Sequence, residues 1–108
     1  KFYDNSCAIG PCIVSSDSIT NPHNLEISMT VMRGGTIIFE GTTSTSQLVR
    51  SCDEINDWLQ RHNHVPDGTV VLTGTGIIPP PSFSLEPKDI CRITVEQIGE
   101  LEVGTKEV

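Results

Sequence analysis

The stretch LEISMTVMRGGTIIFE, residues 25–40, contains the pattern that decides the fold. Apolar and polar residues alternate from Leu25 to Val31, which is typical of a β-strand with one buried face. Gly34-Gly35 follows, and glycine readily adopts the positive φ that a tight hairpin turn needs. A second β-rich run, Thr36–Glu40, comes directly after the glycines. The stretch therefore predicts an antiparallel β-hairpin.

A helix and a second hairpin are predicted after it. Ser51 and Glu54 form a capping box, in which each side chain can bond the other residue's backbone N–H, and the helix should run to about His62. Alternation returns in residues 90–96, and residues 100–103 come back after a turn at 97–99. We therefore predict an α+β fold that is mainly β with one helix.

Four further segments carry local predictions. Residues 12–14 and the buried run at 70–72 are predicted strands. The Thr/Ser run at 42–46 fits either a continuation of the first hairpin or a loop. After the prolines at 79–81, Phe83 and Leu85 are expected to anchor the crossover to the core.

Composition excludes several classes of function. The chain has 108 residues, enough for one modest domain, and carries a net charge of −7. Its seven Lys and Arg residues are scattered, which argues against binding to nucleic acid or to an anionic membrane. No apolar run approaches the roughly 20 residues of a membrane-spanning helix. We expect no nucleic-acid or membrane partner.

The four cysteines point to reduced thiols rather than to a metal site. Their spacing is wide and irregular, and no Cys-x-x-Cys pair is present, which argues against zinc. Nothing in the sequence suggests secretion, and disulfides persist mainly in secreted proteins. We therefore expect a cytoplasmic protein with free thiols at Cys7, Cys12, Cys52 and Cys91.

The candidate chemistry lies in the loop Thr73-Gly74-Thr75-Gly76, between the apolar run at 70–72 and the prolines. Such a loop can offer a hydroxyl and bare backbone N–H groups to an anionic ligand. An ordinary turn would have the same residues. The loop lacks the Gly-Lys-Ser/Thr of a phosphate-binding P-loop and the helix of a dinucleotide-binding fingerprint. Lys1, exposed by default at a terminus, could supply a positive charge if it is internal to a longer chain.

The motifs, taken in order, resemble the C-terminal part of the fumarylacetoacetate hydrolase superfamily. Lys1-Phe2-Tyr3-Asp4-Asn5 with Ile9-Gly10-Pro11 is similar to the family's opening Lys-x-x-Asp-Thr…Gly-Pro segment. The Gly34-Gly35 hairpin followed by Thr45-Ser46-Gln47 resembles its second motif. The loop at 73–76, the Leu85–Asp89 segment and Ile98-Gly99-Glu100-Leu101 resemble the remaining motifs. The detailed pattern is most similar to the 2-keto-3-deoxy-D-arabinonate dehydratase-like branch.

Three departures from the family pattern stand out. Lys88 occupies the place of the usual glycine before Asp89, and Asn5 occupies the place of a threonine. The tail after Leu101 lacks the usual asparagine. The first departure concerns a turn and the last an edge of the domain, whereas the role of Asn5 is left open.

The resemblance implies a fold, a cofactor and a set of site residues. The fold is a mixed β-roll, of which residues 1–108 would be the C-terminal part of a single catalytic domain in a longer chain. The cofactor is Mg²⁺, held by a Glu-x-Glu pair and an Asp that would lie upstream, so no metal ligand is expected within this sequence. The implied catalytic residue is Lys1, and the implied substrate-binding residues are Thr75, Gly74 and Asn5.

Two functions remain as hypotheses. The resemblance implies a Mg²⁺-dependent enzyme that acts on 2-oxo acids through a metal-stabilised enolate, either a 2-keto-3-deoxy sugar acid dehydratase or a C–C hydrolase. Its partners would be the small 2-oxo acid, the rest of the same polypeptide and, as a homo-oligomer, further copies. The alternative is a non-catalytic acidic β-rich binding or scaffold module, which composition allows equally well and which should fold alone as a monomer.

Overall fold

The computed structural model describes residues 3–107, and a four-stranded antiparallel sheet forms their centre. The strands are β1 (Glu26–Arg33), β2 (Thr36–Ser44), β3 (Ile90–Val95) and β4 (Gly99–Gly104), in the spatial order β2-β1-β3-β4. One α-helix, α1 (Cys52–Gln60), and short 3₁₀ turns at Ser16–Ser18 and Thr45–Gln47 complete the regular structure of the described residues. The prediction of a mainly β fold with one helix is confirmed.

Both predicted hairpins form. β1 pairs with β2 across Gly34 and Gly35, whose φ values of 57° and 81° lie in the left-handed region that glycine tolerates. β3 pairs with β4 across a turn at residues 96–98, and the two hairpins join through the antiparallel pairing of β1 with β3. The Thr/Ser run at 42–46 is strand in its first part and turn in its second, because β2 continues to Ser44 and a 3₁₀ turn begins at Thr45.

One face of the sheet is apolar and holds a small core. Val31 is fully buried there beside its cross-strand neighbour Cys91, and Leu25 is buried just before β1. Phe83 packs against Phe39 of β2 with ring centroids 5.4 Å apart, which confirms its predicted role in anchoring the crossover. Leu85 does not share that role, because 52% of it is exposed. The opposite face presents mainly polar side chains of all four strands.

The predicted strands at 12–14 and 70–72 are wrong for this structure. Both segments lack regular secondary structure and belong to no sheet, because within residues 3–107 no neighbouring strand pairs with their backbone. The run at 70–72 is also exposed rather than buried, with Leu72 at 74% and Ile13 of the other segment at 94%. An alternating or apolar pattern predicts an extended conformation, whereas a ladder also needs a partner strand.

The helix begins as predicted. The Ser51 hydroxyl accepts a hydrogen bond from the Glu54 N–H at 3.1 Å, and α1 ends at Gln60, two residues before the predicted limit. All four cysteines are free thiols, as expected. Within residues 3–107, no helix is both long and apolar enough to cross a membrane.

Candidate functional site

A cleft of about 610 Å³ lies between the apolar face of the sheet and the loop at residues 72–77. Ile27, Ile93 and Val95 of the sheet form its floor. One wall is the Thr-Gly-Thr-Gly loop, and the other is the end of β2 with the 3₁₀ turn that follows. Cavities of this size accommodate small organic ligands, so the cleft is the candidate binding site of the described residues.

The loop wall carries Gly74 and Thr75, the two predicted site residues that the structure brings to the cleft. Gly74 has a φ of 112°, which a residue with a Cβ rarely adopts, so glycine is required at this bend. The Thr75 hydroxyl lies 3.2 Å from the Ile77 N–H, from which it accepts, and 3.3 Å from the Ile77 carbonyl oxygen. This local turn holds the loop in a fixed shape at the mouth of the cleft.

The opposite wall was not predicted as part of a site. It contributes hydroxyl and amide groups from Thr43, Ser44, Thr45 and Gln47. The Thr45 hydroxyl is engaged structurally, because it accepts from the Leu25 N–H and donates to the Pro22 carbonyl, each at 2.8 Å. The signal was present in the Thr/Ser run, whose alternation along β2 turns Thr43 towards the apolar face.

The lining of the cleft is electrically neutral. None of the described residues that line it carries a charged side chain, and its polar groups are hydroxyls, an amide and backbone groups. Within residues 3–107, no cluster of three or more His, Cys, Asp or Glu side chains could hold a metal ion. The described part of the chain therefore offers hydrogen bonds to a ligand but no ligand set for a cation.

The other two predicted site residues lie elsewhere. Asn5 sits in an exposed turn with a φ of 59° and does not line the cleft. Lys1, the predicted catalytic residue, lies outside the described residues. The structure therefore brings together Gly74 and Thr75 but not Asn5.

The segment that follows Asn5 nevertheless approaches the cleft end of the sheet. A methyl group placed on Gly99 would stand 3.5 Å from Pro11 Cγ, and the Cys12 thiol lies 3.5 Å from the Ile98 carbonyl oxygen. Gly99 pairs with Val95, which forms part of the cleft floor. Residues 10–12 thus lie against the start of β4, beside the strand whose Val95 forms part of the cleft floor.

Comparisons with known proteins identify relatives of this arrangement. The family model of the fumarylacetoacetate hydrolase C-terminal region matches residues 1–105. The chain is 48% identical over 101 residues to a probable 2-keto-3-deoxyxylonate dehydratase of Haloferax volcanii, covering 94% of this chain and 35% of that protein. It is 41% identical over 107 residues to the 2-dehydro-3-deoxy-D-arabinonate dehydratase of Saccharolobus solfataricus, covering 99% of this chain and 36% of that one.

A solved structure shows the same fold. It is a 2-keto-3-deoxy-D-arabinonate dehydratase complexed with magnesium and 2,5-dioxopentanoate, 40% identical in sequence, with a TM-score of 0.89. The match covers 92% of this chain and 35% of that chain. The present chain thus spans about a third of the length of the curated relatives it matches.

Proposed function

Because the chain belongs to the fumarylacetoacetate hydrolase family, we propose that it forms the C-terminal part of the catalytic domain of a 2-keto-3-deoxy sugar acid dehydratase. One observation carries the proposal: the neutral cleft walled by the Thr-Gly-Thr-Gly loop occurs in a chain that is 41–48% identical to two such dehydratases. At that similarity, the fold is shared over nearly the whole of this chain, which supports a shared site.

The chemistry of the cleft suits the hydroxylated part of such a substrate. A five-carbon 2-keto-3-deoxy acid carries a carboxylate and a keto oxygen at one end and hydroxyls on C4 and C5 at the other. Neutral hydroxyl and amide groups such as those of Thr43 and Gln47 can exchange hydrogen bonds with these hydroxyls. The proposal therefore directs the sugar end of the substrate towards the β2 wall.

The reaction removes one molecule of water. A proton leaves C3, the hydroxyl leaves C4 as water, and a C3–C4 double bond forms. Transfer of a proton from C5 to C3 then moves the double bond to C4–C5 and gives an enol. Transfer of the enol O–H proton to C4 yields the aldehyde of 2,5-dioxopentanoate with no external oxidant. This dioxo acid is the molecule bound in the similar solved structure.

A divalent cation is part of the proposal, although the described residues do not fit one. When bound, Mg²⁺ supplies Lewis acidity that stabilises an enolate of the 2-oxo acid. Since residues 3–107 offer no cluster of ligands, we place its ligands in a part of the protein outside this chain. The magnesium in the similar dehydratase structure supports the use of this cation.

The roles proposed for this chain concern charge and orientation. Lys1, which lies outside the described residues, is proposed to supply a positive charge beside the developing enolate. Thr75 and the N–H groups beside Gly74 orient the carboxylate, and Asn5 is retained as a proposed substrate contact. The enzyme is further proposed to be cytoplasmic and a homo-oligomer.

The test is a dehydration assay of the full-length protein with 2-keto-3-deoxy-D-arabinonate, monitored by formation of the aldehyde. We expect turnover with Mg²⁺, loss of turnover after treatment with EDTA, and recovery when Mg²⁺ is added back. In the same assay, Lys1→Ala should lower kcat by about 10²-fold or more, the scale of losing a positioned electrostatic group. Lys106→Ala, which removes an exposed lysine near the other end of the chain, is the matched control.

Each arm has an outcome that contradicts it. A folded wild-type protein that forms no aldehyde from this acid, with or without Mg²⁺, overturns the dehydratase proposal. An active wild type whose Lys1→Ala variant retains activity within a factor of about two overturns only the role of Lys1.

A further inference from the structure

The loop at residues 73–77, which carries Thr75, packs directly against β2 at two glycines, Gly41 of β2 and Gly76 of the loop. A methyl group at Gly41 would stand 2.7 Å from Ile77 Cγ2, and one at Gly76 would stand 2.6 Å from Thr43 Oγ1. Carbon atoms that are not bonded pack at about 3.5–4.0 Å, so neither position has room for a side chain. Successive loop residues, 76 and 77, thus rest on β2 residues 43 and 41, which share one face of the strand.

The contact atoms cannot move aside easily. Cγ2 of Ile77 and Oγ1 of Thr43 are both attached to a branched Cβ, and β-branched side chains have few available χ1 rotamers. Rotation of either atom out of the way would need a less favourable χ1 rotamer, so we expect the backbone of the loop to shift instead. On the loop side, that backbone belongs to Ile77, which exchanges hydrogen bonds with the Thr75 hydroxyl.

Side-chain packing, rather than backbone hydrogen bonding, holds the loop at its distance from β2. Within residues 3–107, no backbone hydrogen bond joins the segment 70–78 to β2, so the loop is not a strand of the sheet. Phe39 also limits the space at this contact. Its ring lies 3.5 Å from the position of a methyl group on Gly41 and packs against Phe83 of the crossover. The loop can thus lie this close to β2 because Gly41 and Gly76 have no side chains at the points of contact.

We propose that the contacts Gly41–Ile77 and Gly76–Thr43 are positioning elements, which fix the distance of Thr75 from the substrate by seating its loop directly on β2. The inference rests on the proposed dehydratase function. It adds Gly41, Gly76 and Ile77, which touch no reacting atom, and gives Thr43 a positioning role beside its proposed contact with the substrate. A methyl group at either glycine lifts the loop by roughly an ångström, the gap between these distances and normal packing. A misplacement of that size can lower activity about 10²-fold.

The first experiment compares glycine variants of the full-length protein in the dehydration assay. Gly41→Ala should lower kcat/KM about 10²-fold. The matched control is Gly104→Ala, also in a strand and without positive φ, because a methyl group there meets no atom within 4 Å. Both variants should bind Mg²⁺ like the wild type, because neither contact involves a metal ligand.

The second experiment distinguishes positioning from loss of stability. Ile77→Ala should reduce activity when Gly41 is intact but raise it in the Gly41→Ala background, because it removes the clashing methyl group. Gly76→Ala and Thr43→Ala should show the same reversal of sign. The second pair also serves if Gly41→Ala does not fold. Residues in contact also couple in stability, so the thermal midpoint of each variant is measured beside kcat/KM. A merely structural role would show the reversal in the midpoint while kcat/KM of the folded protein stays at the wild-type value.

The outcomes separate this inference from the proposed function. If the wild type is inactive on the 2-keto-3-deoxy acid, the proposed function fails. If the wild type is active and Gly41→Ala matches Gly104→Ala, or if both pairs are additive, the positioning role is wrong while the dehydratase function stands.

Discussion

Asp89 connects three parts of the chain through one buried carboxylate. It is fully buried and accepts from Arg33 of β1 through Nε and Nη2, each at 2.8 Å, and from the Glu86 N–H at 2.8 Å. Its carbonyl oxygen accepts from the Thr105 N–H beyond β4 at 2.9 Å. The Arg33 side chain, followed by the Glu86 N–H, lowers the pKa of Asp89 to about 2.

This shift predicts a specific acid sensitivity. The Asp89 pKa is about 2 in the folded protein and 3.8 in its ordinary state, so the unfolded chain binds more protons between those values. The stabilisation is therefore complete above about pH 4 and is lost as the pH falls towards 2. Asp89→Asn should lower the thermal midpoint at pH 7 and flatten its decline over this window.

Thermal unfolding of the full-length protein at a series of pH values provides the measurement. Glu86→Gln is the matched control, because the Glu86 side chain also contacts Arg33 but is 58% exposed and should matter less. An Asp89→Asn protein with the wild-type midpoint and pH profile would contradict the assignment.

Lys88 stands where the family usually has a glycine, at a position whose backbone conformation favours glycine. Its φ is 75°, in the left-handed region where glycine is favoured, and it lies in the turn before Asp89. The family's usual glycine is therefore explained by backbone conformation. The structure places this departure in a turn, as predicted from the sequence, and away from the residues that line the cleft.

Among the secondary-structure elements, the helix α1 depends for its stability mainly on the hydrogen bond at its N-terminus. No residue of the helix is fully buried, and Trp58 is 56% exposed with the Arg61 guanidinium 4.2 Å from its ring centroid. With little burial to stabilise it, the helix relies on its cap and its local pairs. The Ser51 cap is therefore the feature that a substitution tests most directly.

Ser51→Ala should destabilise α1 by about 1 kcal/mol, because the Glu54 N–H loses its acceptor. Hydrogen exchange of the α1 amides in the full-length protein measures this locally, as faster exchange across the helix. Ser15→Ala is the matched control, since Ser15 precedes a 3₁₀ turn without a side-chain cap bond. Equal exchange rates in wild type and Ser51→Ala would show that the cap contributes nothing.

Local sequence patterns predicted some of the helices and strands correctly and others wrongly. The hairpin strands and the helix start follow from local alternation, glycine turns and a capping box, which act within a few residues. Residues 12–14 and 70–72 are local patterns too, but a strand needs a partner that no local pattern supplies. The cleft wall at Thr43 and Gln47 was missed for a related reason, because its role depends on a loop some thirty residues away.

At the scale of the whole molecule, apolar surface is exposed in several places. Val49 is 99% exposed and Ile13 94%, and the apolar run at Val70–Leu72 is exposed as well. Monomeric proteins rarely leave large connected apolar patches open to water. An extended segment with free backbone groups also invites pairing with another chain.

The isolated 108-residue chain is therefore expected to self-associate and to bind a hydrophobic dye, whereas the full-length protein should bind much less. Size-exclusion chromatography and dye fluorescence of both proteins at equal molar concentration make the comparison. A monomeric isolated chain that unfolds cooperatively and binds no dye would favour the hypothesis of an independent binding or scaffold module.

The neutral lining of the cleft has an evolutionary consequence. Under the proposed function, a wall position such as Ser44 can exchange one uncharged side chain for another without altering the field around the anionic end of a bound acid. Preference for one mirror image at C4, the only stereocentre left in a 2-keto-3-deoxy pentonate, can then drift independently of the machinery that activates C3. Divergence among such enzymes should concentrate at wall positions, such as Ser44, that neither support the loop opposite nor belong to the shared Thr45-Ser46-Gln47 motif.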